Sequence, residues 1–461
     1  MIIDFAERAH NHNWDLDPVV RSLLDTDFYK LLMLQFIWKH FPTTQVSFSM
    51  TNRSSSLRLA DVIAREEVLQ QLEHVRSLRF LKSELIWLAG NTFFGRRGIF
   101  EPDFLEWLGH GFRLSSYRLT VRDGEFHLQF DGLWTEATMW EIYALSIINE
   151  LKSRAAFKGM SEFELDILYA QAKAKLWGKI ERLTGVPELR VADFGTRRRH
   201  SFLWQEYVVM AMNTALGEHF SGTSNTYLAY KHNLEAVGTN AHELPMALAA
   251  MANSDAELKG SQYRILELWQ STYGQDIRIM LPDTYGTTQF LADAPDWTAD
   301  WTGQRIDSKD PYAGGDEYIE WLKKRGRDPK QKLIIASDAM DVEDILGLHA
   351  YFMGTIASGL GPSDFHSGAD FADETRWTPG RRIRFSAGWG TLLTNDFRGC
   401  HPNGKNGLLP ASLICKMTEA DGRPAVKLSD NYAKATGLRS EIARYRRVFG
   451  TAGVANIPVL V

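Results

Sequence analysis

The sequence predicts an α/β barrel joined to a smaller domain of mixed helix and antiparallel strand, and three observations point there. After Glu150, short apolar runs at 189–194, 277–281, 333–336 and 383–385 alternate with helical stretches. Strands separated by helices pair in parallel through crossover connections, and over about 240 residues a barrel is the economical closure. Each apolar run also gives way to small, hydroxyl or acidic residues, which would place the polar motifs on the loops after the strands, where barrel ligands bind. The part before Glu150 lacks this alternation and mixes helical stretches with a hairpin pattern.

In 27–40, the residues Leu31, Leu32, Leu34, Phe36, Ile37 and Trp38 sit densely enough for a buried helix, which Phe41-Pro42 ends. An extended stretch is expected at 45–50, and helices at 57–75 and 81–88. Segment 117–130 alternates in strand fashion about Asp123-Gly124. That pair suits a tight hairpin turn because glycine tolerates positive φ. Past Gly399 the chain is rich in Gly, Pro and Asn as far as Pro410. Strands at 412–417 and 425–428, joined by Asp421-Gly422, are expected to form a hairpin that rejoins the amino-terminal domain. Segment 358–381 reads as a long irregular loop.

A chain of 461 residues exceeds one ordinary core and suggests two or three domains. With 44% hydrophobic and 24% charged residues it has the apolar surface to pack a core. A net charge of -5 argues against general nucleic-acid binding, so local arginine clusters point to small phosphorylated ligands. Two cysteines make neither a disulfide framework nor a zinc site, which fits a reducing cytoplasm. The acidic start, with Asp4, Glu7, Asp15 and Asp17, is unlike an export signal, and nowhere do 18 apolar residues run together as a membrane span requires.

The most informative stretch is Asp193-Phe194-Gly195-Thr196-Arg197-Arg198-Arg199. It sets three guanidinium groups after an apolar strand, and their planar forks match phosphate and carboxylate oxygens. Three arginines opening a helix would equally suit a solvated face. By contrast, Gly399-Cys-His-Pro-Asn-Gly404-Lys405-Asn406 departs from the phosphate-loop pattern at its last position, where Asn replaces Ser or Thr, and reads as a surface turn.

Taken together, Leu24 to Lys30, Asp193 to Arg199, Gly222-Thr223-Ser224-Asn225, Gly238-Thr239-Asn240-Ala241-His242-Glu243, Asp307 to Pro311 and Ser386 to Asp396 resemble the bacterial-type nicotinate phosphoribosyltransferase family nearly end to end. The resemblance implies a type II phosphoribosyltransferase fold, an irregular α/β barrel at 156–400 with a second mixed α+β domain built from both chain ends, 1–155 and 401–461. It implies a homodimer with a shared active site. The implied reaction joins nicotinate to 5-phosphoribosyl 1-diphosphate (PRPP) and yields nicotinate mononucleotide and diphosphate. Mg2+ is the expected cofactor and ATP the expected co-substrate, in the salvage route to NAD that the resemblance implies.

The same resemblance assigns residues. His242 is the expected phosphohistidine, with Glu243 orienting its ring, and Arg197 and Asp307 join it as catalytic groups. Arg197, Arg198, Arg199 and Arg305 are candidates for diphosphate and the nicotinate carboxylate. Phe194 would stack on the pyridine, with Tyr29 closing the other face from a partner subunit. Asp307, Asp310 and Asp338 are candidates for the ribose hydroxyls and for Mg2+, with Asp310 the expected metal ligand and Asp283 open to the same two roles, and Gly388, Gly390 and Thr391 would wrap the 5'-phosphate. Ser224 stands where amide-using relatives carry Asp, which favours nicotinate over nicotinamide. Alone, Asp338 could simply cap the following helix. Two departures stand out: Ile306 and Lys309 occupy the places of a His and a Gly, and Trp389 interrupts the glycine turn. The alternatives are a nicotinamide- or quinolinate-using transferase, or a non-catalytic nucleotide sensor on the same fold.

Overall fold

Two sheets organise the chain, one antiparallel and one parallel, and the active end belongs to the second. The computed structural model describes residues 16–54, 57–274, 277–337, 340–354, 381–404 and 408–456. The polypeptide runs through helix α1 (Phe28–His40), strand β1 (Gln45–Asn52), the hairpin β2 (Ser116–Arg122) and β3 (Glu125–Leu133), and helices α2 (Trp140–Phe157) and α3 (Glu162–Leu183). Strand β4 (Val191–Asp193), helix α4 (Phe202–Leu216), strand β5 (Phe220–Thr223) and helix α5 (Glu243–Met251) follow. Then come β6 (Ile279–Met280), β7 (Gly303–Ile306), β8 (Leu333–Ala336), β9 (Arg384–Trp389), β10 (Leu413–Ala420) and β11 (Arg423–Pro424).

Helix α1 is buried on every side from Phe28 to Ile37, as a helix apolar all round must be. Its two buried polar side chains are both satisfied. Lys30 Nζ reaches Glu141 Oε2 at 2.8 Å and Glu243 Oε2 at 2.6 Å, while Gln35 Nε2 donates to the Ile99 carbonyl at 3.0 Å. Asp123 (φ 52) and Gly124 (φ 76) turn the β2–β3 hairpin, matching the positive-φ turn that the strand twist favours. The helix expected at 57–75 divides into Leu59–Val62 and Arg65–Ser77, because Ile63 is extended (φ -113, ψ 128) and Glu66 and Glu67 open a new first turn.

The antiparallel sheet has the order β11-β10-β1-β3-β2, so a strand from the carboxyl end pairs directly with β1. The expected return strand at 425–428 is replaced by the two-residue β11. Pro424 supplies no N–H to the ladder, and Lys427 instead bridges to Thr436.

All six strands of the second sheet are parallel, in the order β5-β4-β9-β8-β7-β6. Strands β5 and β7 escaped the sequence reading because each contains glycine and polar residues, and pairing rather than local pattern defines them. Segment 235–240 closes the ring irregularly. Thr223 N donates to the Glu235 carbonyl (3.1 Å), Val237 N donates to the Thr223 carbonyl (3.0 Å), and Asn240 Nδ2 reaches the Ile279 carbonyl of β6 at 3.1 Å.

That closure depends on Gly222. Its φ is +115, and a Cβ there would lie 2.1 Å from the Glu235 carbonyl oxygen, a backbone atom that cannot swing aside. Gly222→Ala is expected to destabilise the fold by about 1–3 kcal/mol. An unchanged denaturation midpoint would contradict this closure.

Positions 355–380, and with them most of the irregular loop expected at 358–381, lie outside the described residues, as do Asp338, Lys405 and Asn406. Among the described residues no helix is long and apolar enough to cross a membrane.

Candidate active site

Parallel strands present all their carboxyl ends on one side, so the loops after β4, β5, β6, β7, β8 and β9 share one rim. The β4 loop takes its shape from Asp193. Its Oδ1 accepts from Gly195 N (2.8 Å), and its Oδ2 accepts from Thr223 Oγ1 (2.7 Å) and Gln205 Nε2 (2.8 Å). Gly195 is required there, since a Cβ would sit 2.1 Å from Thr394 Oγ1. Phe194 bonds through its N–H to the Trp389 carbonyl (2.8 Å), and its ring packs where a side chain at Gly388 would come within 3.1 Å.

Across the rim, His242 meets Asp283 from the β6 turn, with Nε2 and Oδ1 2.7 Å apart. A carboxylate only accepts, so Nε2 carries the proton and Nδ1 keeps its lone pair. Burial pushes the imidazole down to about 4 against the pull of Asp283, leaving it neutral at neutral pH. Asp307 Oδ2 lies 3.9 Å from the same nitrogen, and Asp307 Oδ1 accepts from Arg305 Nη2 and Ser337 Oγ, both at 3.2 Å. Ser308 Oγ donates to Asp283 Oδ2 at 2.6 Å. Lys427 Nζ approaches Asp283 Oδ2 (3.5 Å) and Asp307 Oδ2 (4.0 Å). Burial opposes both charges, yet the His242 N–H and Lys427 hold Asp283 well below the usual carboxylate range, and Arg305 and Lys427 do the same for Asp307. His242, Asp283 and Asp307 offer ligand atoms within 4.8 Å of one another, a donor set able to take a divalent cation.

Two segments of the chain match family models: residues 24–149 match the nicotinate phosphoribosyltransferase amino-terminal domain and residues 189–452 match the nicotinate phosphoribosyltransferase family. The chain belongs to the nicotinate phosphoribosyltransferase family. It is similar over 94% of its length to the crystal structure of nicotinate phosphoribosyltransferase from Porphyromonas gingivalis, with 26% identity, 100% of that chain covered and a TM-score of 0.76. The enzyme of the same name from Vibrio cholerae is similar at 27% identity, with 94% of each chain covered and a TM-score of 0.76.

Set against the expectations for a nicotinate phosphoribosyltransferase, the geometry brings several residues together and removes others. Arg197 remains about a third exposed on the rim, with Glu141 Oε1 3.7 Å away as its nearest acid. Arg198 donates to the Leu413 carbonyl at 3.2 Å. Arg199 is a correction: fully buried, it makes a bidentate pair with Asp25 (2.6 and 2.8 Å) and donates to the Val19 carbonyl (3.0 Å), so it serves the core rather than a ligand. Glu243 is a second correction. It turns away from His242 and accepts from Lys30, Trp134 Nε1 and Thr138 Oγ1, and Asp283 orients the imidazole instead.

Ser224 is fully buried and donates to the likewise buried Asp27 Oδ1 at 2.7 Å. Tyr29, expected from a partner subunit, packs inside its own chain against Gly238, and burial pushes its phenol up so that it stays neutral near Arg197. Asp310 caps the helix Pro311–Lys324 by accepting from Ala313 N (2.8 Å) and is not part of the His242, Asp283 and Asp307 donor set. Asp338 lies outside the described residues. Gly390 and Thr391 open the short turn after β9. Trp389 does not enter that turn: its indole is buried, with Lys179 Nζ 5.6 Å from the ring centroid.

The residues that sequence reading missed are Lys427, Ser308, Ser337, Asp27 and Glu141. Ser308, Ser337 and Asp27 sat within polar motifs, whereas Lys427 lay in a stretch read as ordinary strand.

Proposed function

We propose that this nicotinate phosphoribosyltransferase couples ATP hydrolysis, through a phosphohistidine at His242, to the joining of nicotinate and PRPP. The single observation that supports the reading is a neutral, buried His242 held by Asp283 on the rim that also carries Arg197, Arg305 and Lys427. In this scheme His242 Nδ1 attacks the γ-phosphorus of ATP, a nitrogen–phosphorus bond forms, and the oxygen–phosphorus bond to ADP breaks. Transfer itself passes through a cation-like ribosyl centre as diphosphate leaves, so the protein works by positioning and charge. Phe194 and Tyr29 would sandwich the pyridine ring, Arg197 and Arg198 would face its carboxylate and the diphosphate, and Gly388, Gly390 and Thr391 would receive the 5'-phosphate. Asp283 and Asp307 would hold Mg2+, which when bound spreads the charge of the departing diphosphate. The reading keeps a homodimer and a cytoplasmic location.

The test is nicotinate mononucleotide formation with and without ATP. Strong stimulation accompanied by ADP release is expected, and equal rates without ATP would contradict the coupling.

Ser224 governs the choice of base through Asp27, whose carboxyl burial pushes upward. Ser224→Asp would set a second carboxylate against Asp27 in a desolvated site. The variant's kcat/KM for nicotinate is expected to fall by roughly 10^2 to 10^4, with nicotinamide less affected. Comparison of kcat/KM for the two bases checks it, and unchanged nicotinate turnover would refute this use of the pair.

A further inference from the structure

The carboxyl-terminal segment crosses the β6 turn as a strap over the back of the His242–Asp283 pair. Leu428 N and Ser429 N both donate to the Thr284 carbonyl, at 2.9 and 3.1 Å. Ser429 is buried in the left-handed region (φ 68), a strained conformation for a non-glycine residue that surrounding contacts must enforce. Asp430 fastens the far end, its carboxylate accepting from Thr287 N (2.7 Å) and Thr287 Oγ1 (2.6 Å). The strap also delivers Lys427 to both active-site carboxylates.

One side chain joins this strap to Asp283. Ser308 Oγ donates to Asp283 Oδ2 at 2.6 Å and accepts from Asp430 N at 3.1 Å, so a single hydroxyl touches both. The loop that holds Ser308 is itself pinned by Lys309, which donates to Thr288 Oγ1 (2.8 Å) and pairs with Glu317. Lys309 thus gives the departure from the family pattern a structural role.

We infer that Ser308 is a positioning residue: its hydroxyl transmits the placement of the strap to the Asp283 carboxylate, fixing which oxygen faces His242. This rests on the proposed role of the His242–Asp283 pair. Without the hydroxyl, Asp283 can rotate toward Lys427, and His242 loses its fixed partner while the substrate-facing cations stay where they are.

The experiment compares the full-length parent with Ser308→Ala, Ser308→Thr, Asp430→Asn and the Ser308→Ala/Asp430→Asn double variant in nicotinate mononucleotide formation, with thermal midpoints measured in parallel. Ser308→Ala is expected to lower kcat about 10- to 30-fold, with KM for nicotinate and PRPP within about twofold and the midpoint nearly unchanged. Ser308→Thr should restore most of the rate, and Asp430→Asn should add little to Ser308→Ala. An unchanged kcat, a loss that follows KM or the midpoint, failure of the threonine rescue, or full additivity would each overturn the tether. An inactive parent would instead sink the underlying functional reading.

Discussion

His242→Asn is expected to abolish ATP hydrolysis by this protein, on the order of 10^3-fold or more, while slow ATP-independent formation of nicotinate mononucleotide survives. Asparagine can keep a hydrogen bond to Asp283 but offers no nucleophilic nitrogen, so folding and base binding should persist. The cations Arg197, Arg305 and Lys427 on the same rim are untouched by the change. Parallel assays of ADP release and mononucleotide formation separate the two activities. Equal loss of both would mean that His242 serves transfer directly and not the ATP step.

Arg199→Met is expected to act on a different level and to cost about 3–5 kcal/mol of stability, because it removes the guanidinium partner of the buried Asp25 carboxyl. Both partners are fully buried, and the pair is bidentate. Asn225 Nδ2 also donates to Asp25 (2.8 Å), so the damage should spread to the loop after β5. The readout is the denaturation midpoint together with KM for PRPP. A normally stable variant with a raised KM would restore Arg199 to the ligand site.

These two residues mark what local sequence could and could not reveal. His242 was legible only through the family resemblance, since a lone histidine is otherwise more often a structural hydrogen-bonder. Its orienting partner was not, since Glu243 is adjacent in sequence but neighbours at a helix start point in different directions. Asp283 arrives from 41 residues away. Arg199 looked identical to Arg197 and Arg198, and only a carboxylate 174 residues earlier distinguishes it. The parallel sheet followed the same logic. Strand β8, Leu-Ile-Ile-Ala, announces itself by apolar content, whereas β5 and β7 carry Gly222 and Gly303. A side chain at Gly303 would come 2.0 Å from the Leu333 carbonyl, so the position is set by a neighbouring strand that local pattern does not contain. Lys427 was invisible for a related reason: its meaning depends on a strap whose course is fixed by Thr284, Ser308 and Thr287.

The central claim is that His242 carries phosphate during the ATP step, and the direct measurement is phosphopeptide mapping after brief exposure to ATP labelled in the γ-phosphate, without PRPP. The account predicts acid-labile, base-stable label on the peptide containing His242, discharged when PRPP and nicotinate are added and missing from His242→Asn. Label on any other residue, or label that persists in His242→Asn, would contradict it.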